Sequence, residues 1–453
     1  MISFKISEIK DVLNATVIGD ESVVINEIEH DSRKDVKGKL FVAIKGEAFD
    51  GHSFVKSVCE SGVVAVLVEK ECDVNIPQII VDNSIKALGI IGKYVREKSK
   101  AKVVSITGTC GKTSVKEMTY SILSNMGNTV ATKGNLNNDI GVPLTLLTID
   151  RETEFAVVEL GANHPGEIKY TVELAKPDVA LINNVASAHL EGFGDINGVY
   201  KTKSEILDYV TTNNGIGIVN ACDSFYSKWL EDYAEYNLLS FGVGKNATYY
   251  ATDVKPTENG CFEFTLNTPN FVSSIKLRVP GVHNVSNAVA AAILSRQVGA
   301  TEEHIVKGLE TVEPSKGRFY VEKIGNIRLV DDAYNASVKS VESSLDTISL
   351  FEGKKVFVFG DMGELGKDEI ALHQSIGEHA KGKVDSFISI GKLAKYSAEV
   401  FGSQCIFEDR NELKDYLLKL VTSGEEMTIA IKGSHGMHME EFVKCIKEGL
   451  SKC

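Results

Sequence analysis

Eight consecutive residues, Thr107-Gly108-Thr109-Cys110-Gly111-Lys112-Thr113-Ser114, combine glycine, lysine and hydroxyl groups at a spacing suited to holding phosphate. Glycines let backbone amides close on the anion, and the amino terminus of a following helix adds positive potential. Lys112 can then reach the outer phosphates and the Thr113 hydroxyl can ligate Mg²⁺. The run departs from the standard P-loop at Ile106, where that motif carries glycine.

A carboxylate and a histidine follow at the ends of apolar runs. Glu159 closes Phe155-Ala156-Val157-Val158-Glu159. In open α/β sheets ligands bind outside the carboxyl ends of strands, so Glu159 could hold the metal that bridges the phosphates. Taken alone, an acid in that place is more often simply solvated. His189 ends Asn183-Asn184-Val185-Ala186-Ser187-Ala188-His189, where it could be a ligand or a base, although a solitary histidine is more often structural. Spacing does not choose between these.

The elements that must carry these groups are readable from periodicity. Ala101 to Gly108 has a buried-strand pattern and Lys112 to Met126 has helical spacing, giving strand, tight loop, helix. Strands are also expected at 155–160, 179–182 and 215–219 with helices between, the pattern of a mostly parallel, helix-covered sheet. Between Ala247 and Val279 short alternating strands predict an antiparallel appendage on the same domain, before a helix from about Asn284 to Gln297. Upstream, apolar runs at 40–44 and 63–68 and a helical stretch from Ser84 to Arg96 predict a small α/β domain. Glu313-Pro314-Ser315-Lys316-Gly317-Arg318 reads as a linker. A third α/β unit follows, with strands near 327–330, 356–359, 387–390 and 428–431. The expected architecture is α/β in three domains, 1–100, 101–313 and 314–453.

Composition narrows the function classes. A net charge of −13 argues against a chain built to neutralise a nucleic-acid backbone, while leaving small anionic ligands open. No apolar run approaches the roughly 20 residues of a membrane span. The start, Met1-Ile2-Ser3-Phe4-Lys5, lacks the pattern of a secretory signal, and eight scattered cysteines show no metal spacing. A cytoplasmic protein with reduced thiols is expected, and nothing demands more than a monomer.

Longer motifs then carry a family resemblance. Gly108-Thr109-Cys110-Gly111-Lys112-Thr113, the run from Lys133 to Pro143, Glu159 to Glu167 and Ala188-His189-Leu190-Glu191-Gly192-Phe193-Gly194 closely resemble the Mur ligases. His283-Asn284-Val285-Ser286-Asn287-Ala288, Gly317-Arg318-Phe319, Asp331 to Ser337, Gly360 to Gly366 and Lys432 to Met437 occur in the same order, so the likeness covers nearly the whole chain. The loop from Asp331 departs from it at Ser337, where many relatives carry asparagine.

The resemblance implies an amino-terminal UDP-binding domain, a central ATPase domain and a Rossmann-like carboxy-terminal domain that binds the amine and closes the site. It implies that Ser32 and Arg33 contact the uridine end, that Asn135, Asn138, Tyr334 and Asn335 meet substrate, and that Asn287 meets adenine. Arg318 and Asp332 would reach ATP, along with the loop from Gly108 to Ser114, when the third domain closes. Thr113, Glu159 and His189 would serve Mg²⁺, two ions in all, with Lys203 as a carbamylated ligand because it lies fourteen positions after His189, as in sibling enzymes. The implied chemistry is attack of a UDP-MurNAc-tripeptide carboxylate on ATP's γ-phosphate, then attack of D-alanyl-D-alanine on the acyl-phosphate, with Lys112, Lys203, His189 and Arg318 as the catalytic set. Competing readings are a folylpolyglutamate synthetase or another sibling ligase, and a nucleotide-binding module without ligase activity.

Overall fold

Lys102–Thr107 forms the strand that leads into the glycine-rich loop, and every residue after Lys102 is buried. A strand buried on both faces requires helices on both. The computed structural model describes residues 1–451 apart from 47–48, 187–189 and 245, and it supplies that cover. His189 lies outside the described residues.

The loop strand is parallel to Phe155–Glu159 on one side and to Val179–Ile182 on the other. Thr129–Ala131 closes the near edge, while Ile216–Asn220 and Leu239–Val243 continue the far side, all parallel. The segment expected as an antiparallel appendage extends this same sheet to nine strands. Its first strand, Tyr249–Pro256, joins in parallel and covers the row of backbone groups that Leu239–Val243 would otherwise leave unpaired. Phe262–Asn267 then reverses direction, pairing antiparallel with Tyr249–Pro256 and with Val272–Lys276.

Upstream, a five-stranded sheet runs in the order Thr16–Ile18, Gln78–Ile80, Ala65–Val68, Leu40–Val42, Ile28–Glu29. Helix Ser84–Lys98 ties it to the central sheet. Asn83 caps the helix by accepting the Lys86 N–H at 2.8 Å, and Ala87, Leu88, Ile91 and Val95 are buried along one stripe. At Gly92 the helix crosses so close to Pro143 that a Cβ would sit 3.0 Å from its Cα. One apolar cluster consequently runs from Ile6, Leu40 and Ile79 through Ile91 to Val103, Val158 and Trp229.

The third sheet has six strands, ordered Tyr320–Ile324, Ile327–Asp332, Met427–Lys432, Lys354–Gly360, Ser386–Ile390, Ile406–Phe407. Period-two alternation sends Phe357 and Phe359 into one cluster and Val356 and Val358 into another. Neither cluster includes a residue from before Phe319, so this unit packs around its own core. No described helix is long and apolar enough to cross a membrane.

The single tryptophan, Trp229, is fully buried in the cluster shared by the first and central sheets. Ile91→Ala should remove packing from the middle of that cluster and destabilise it by ~2–5 kcal/mol. Guanidinium unfolding followed by Trp229 fluorescence checks this, the expected outcome being a lower midpoint for the variant.

Candidate active site

Parallel pairing brings three strand ends together, and they carry Thr107-Gly108, Glu159 and Asn183. Ile106, where the P-loop motif has glycine, is an interior strand residue, so the turn begins at Gly108. The loop is fastened to the neighbouring strand end. Asn184 accepts the Cys110 N–H through Oδ1 at 2.8 Å and the Thr109 N–H through its carbonyl at 3.0 Å. Asn183 and Asn184 both donate side-chain N–H to the Cys110 carbonyl, at 2.9 and 3.0 Å.

Gly111 then turns the chain into helix Lys112–Leu123 with φ of +78°. A Cβ there would meet the Asn183 Nδ2 at 2.5 Å and the Asn287 Oδ1 at 2.7 Å, so only glycine fits. No side chain caps this helix, which leaves its first backbone donors for an anion. Lys112 is half-buried and folds back, donating to the Gly108 carbonyl at 2.7 Å and the Thr109 carbonyl at 3.2 Å. Its pKa is lowered by burial, with Glu159 and Cys110 opposing and Arg318 adding to the effect. The carbonyls of its own loop draw it in.

Thr113 donates its hydroxyl to Glu159 Oε2 at 2.9 Å, and Asn137 donates to Oε1 at 2.8 Å. Glu159 is only 2% exposed. A buried carboxylate satisfied by two neutral donors, beside a hydroxyl, is a hard-oxygen set suited to Mg²⁺. No group of three or more His, Cys, Asp or Glu placed to hold a metal ion occurs among the described residues, so phosphate oxygens and water would complete such a shell.

Helix Ile196–Thr212 presents two lysines differently. Lys201 is exposed and lines an open cavity of about 690 Å³ with Asp195, Tyr200 and Lys228, whereas Lys203 is 3% exposed. Burial, reinforced by the charge of Lys112 and opposed by Cys110, lowers the Lys203 pKa to about 7. Lys203 therefore lies within electrostatic reach of Lys112 and Cys110 in the phosphate loop.

The third unit meets the loop as well. Arg318 stacks 4.1 Å over the Tyr334 ring and, with Ser114 and Glu117, lines a small cavity at the start of the loop helix. Cys110 Sγ lies 3.3 Å from Ser337 Oγ. Arg318 thus stands within electrostatic reach of Lys112.

Three family models cover the chain: the Mur ligase family catalytic domain at residues 24–106, the Mur ligase middle domain at 106–295, and the Mur ligase glutamate ligase domain at 317–435. The UDP-N-acetylmuramoyl-tripeptide--D-alanyl-D-alanine ligase of Escherichia coli is 42% identical over 99% of both chains. The chain belongs to the Mur ligase family. The Bacillus subtilis protein of the same name is 32% identical, again over 99% of both. Among solved structures, MurF from Acinetobacter baumannii superposes with a TM-score of 0.92 at 35% identity, covering 98% of this Mur ligase and 99% of that chain. MurF ligase from Thermotoga maritima in complex with ADP gives 0.81 at 27%, covering 94% and 98%.

Other candidates in this Mur ligase are held in different ways. Asn287 is buried, accepting from Asn183 at 3.0 Å and donating to Asn284 at 2.8 Å, directly under the phosphate loop. Asp332 is fully engaged within the third unit, accepting from Phe319 N at 3.0 Å, from Lys432 Nζ at 2.7 Å and from Ser344 Oγ. It braces the residue next to Arg318. Asn335 accepts from Lys432 through its carbonyl and from the His435 N–H through Oδ1. Asn135 and Asn138 are exposed, Asn138 accepting the Gly141 N–H at the start of helix Gly141–Leu146. Ser32 and Arg33 lie in a turn of the first unit, where Arg33 is paired with Asp31 at 2.8 Å and largely exposed.

Sequence reasoning missed Asn137, Asn183, Asn184 and Lys432 as functional supports. The asparagines stood in quoted motifs, but their partners come from other strands, and no local pattern names which amide points inward.

Lys203 should leave a pH signature. Its folded pKa of about 7 lies below the ordinary 10.5, so between those values the unfolded chain binds the extra proton and stability rises with pH. In CO₂-free buffer, the stability of the parent relative to Lys203→Met should therefore increase from pH 7 to pH 10, as read by denaturant unfolding at each pH.

Proposed function

We propose that this Mur ligase joins D-alanyl-D-alanine to UDP-N-acetylmuramoyl-tripeptide, using ATP, in peptidoglycan precursor synthesis. The observation that carries the reading is end-to-end correspondence with a relative of that name, 42% identical over 99% of both chains. The ADP complex of a structural relative and the uncapped helix after Gly111 support ATP as the phosphoryl donor. We further propose that 1–100 binds the UDP end, 101–313 the nucleotide, and 314–453 the amine, in a cytoplasmic monomer.

In this reading Lys112 exchanges the Gly108 and Thr109 carbonyls for the γ-phosphate, a short swing that turns an internal contact into a charge-assisted one. The loop amides and the first turn of the helix hold the β-phosphate. Thr113 and Glu159 would hold Mg²⁺, which when bound offsets negative charge on the phosphates. The terminal carboxylate of the tripeptide attacks the γ-phosphorus and ADP departs; the dipeptide amine then attacks the acyl carbon and inorganic phosphate departs, with loss of a proton from the amine.

Arg318 adds charge at the transferring phosphoryl group, and Tyr334 beneath it fixes the guanidinium plane. Asp332, clamped by Lys432, holds the adjoining backbone. Lys203 has the burial and lowered pKa that leave an amine unprotonated near neutrality, the form that combines with CO₂, which supports its carbamylation and a second Mg²⁺ with His189.

ATP hydrolysed by purified protein only when both the UDP-linked tripeptide and D-alanyl-D-alanine are present is the expected outcome; turnover without either substrate would refute the ligase reading. Lys112→Ala should abolish phosphoryl transfer while the chain stays folded by circular dichroism. Arg318→Ala should lower kcat much more than ADP affinity, which calorimetry and steady-state kinetics separate. Lys203→Ala should lose activity and regain part of it with acetate, whose carboxylate fills the vacated position; unimpaired Lys203→Ala would remove the carbamate.

A further inference from the structure

We propose that Lys116 is a positioning residue for the carboxylate of Glu159, acting through Thr132. It lies one turn beyond Lys112 on the same helical face, yet its side chain goes elsewhere. Lys116 is 1% exposed, donates to the Thr132 carbonyl at 2.7 Å and pairs with Glu117 at 2.7 Å. Burying an ammonium is costly, and an apolar side chain of similar length would fill the same space without that cost. The charge is therefore explained by what it holds.

What it holds is the seam under the metal-type site. Thr132, also 1% exposed, accepts the Glu159 N–H through Oγ1 at 3.0 Å and donates its own N–H to the Val157 carbonyl at 3.0 Å. The chain then runs into Lys133 to Asn137, and Asn137 donates to Glu159 Oε1 at 2.8 Å. Thr113, on the same helix as Lys116, touches Glu159 Oε2 at 2.9 Å. One helix thus contacts the carboxylate directly at Thr113 and, one turn on, fixes through Lys116 the segment that sets both its backbone and its amide partner. Outer residues of this kind orient metal ligands without touching the metal.

The inference rests on reading Glu159 as a Mg²⁺ ligand, and its test separates the two. ADP binding to the full chain is measured calorimetrically with Mg²⁺ and with chelator. Lys116→Met keeps the stem and removes the charge; it should bind metal-free ADP as the parent does, and ADP with Mg²⁺ roughly 10–100-fold more weakly. Thr132→Val should show the same selective loss, and Thr132→Ser, which keeps the hydroxyl, should restore it. A folded Lys116→Met that retains the parent's Mg²⁺ dependence, or that weakens ADP equally with and without metal, overturns the inference. If Lys116→Met does not fold, parent-like Mg²⁺ dependence in Thr132→Val overturns it. Glu159→Gln is the reference: loss there but not in Lys116→Met refutes the positioning role alone, whereas no loss in Glu159→Gln refutes the metal reading beneath it.

Discussion

Backbone hydrogen bonding between Lys102–Thr107 and its two parallel neighbours fixes where chemistry can occur in this chain. Because parallel strands end on the same side, the glycine turn, Glu159 and the Asn183-Asn184 pair emerge together. The turn is then clamped from the adjacent strand end, so its free donors are the ones at the helix start. A one-residue shift against Phe155–Glu159 would turn Glu159 away from Thr113, and one against Val179–Ile182 would release the Cys110 backbone.

Packing divides the molecule unevenly. The first and central sheets share one apolar cluster through helix Ser84–Lys98, so their relative placement is held by the same burial that stabilises each of them. The third sheet owns both of its clusters and reaches the central unit through the linker, through polar contacts such as Cys110 with Ser337 and His283 with Ser343, and through Phe351 and Thr347 packed against Gly260. A body attached in this way can part from its neighbour without exposing a core. Arg318 sits at that junction, which makes its distance from Lys112 a property of domain placement.

Local charge opposes the overall balance. The chain carries −13, yet Lys112, Lys203 and Arg318 converge on the phosphate loop, and the first two have lowered pKa values. Burial is the larger cause for each, and repulsion adds to it, from Arg318 at Lys112 and from Lys112 at Lys203. Anionic phosphates entering this space would relieve that repulsion, so substrate binding and the protonation of these lysines are physically linked.

Apart from Lys203, which only the family spacing after His189 singled out from Lys201, the sequence by itself determined the element order, the strand–loop–helix around Gly108 to Lys112 and the linker before Arg318. These follow from periodicity and from the backbone demands of glycine, which act over a few residues. Tertiary structure alone decided which of Asn135, Asn137 and Asn138 reaches Glu159, that Asp332 is consumed by Lys432 and Phe319, and that Lys116 is buried against Thr132. Each of those outcomes depends on which side chain meets a partner from another strand, a matter of register and packing between segments that periodicity within one segment does not encode.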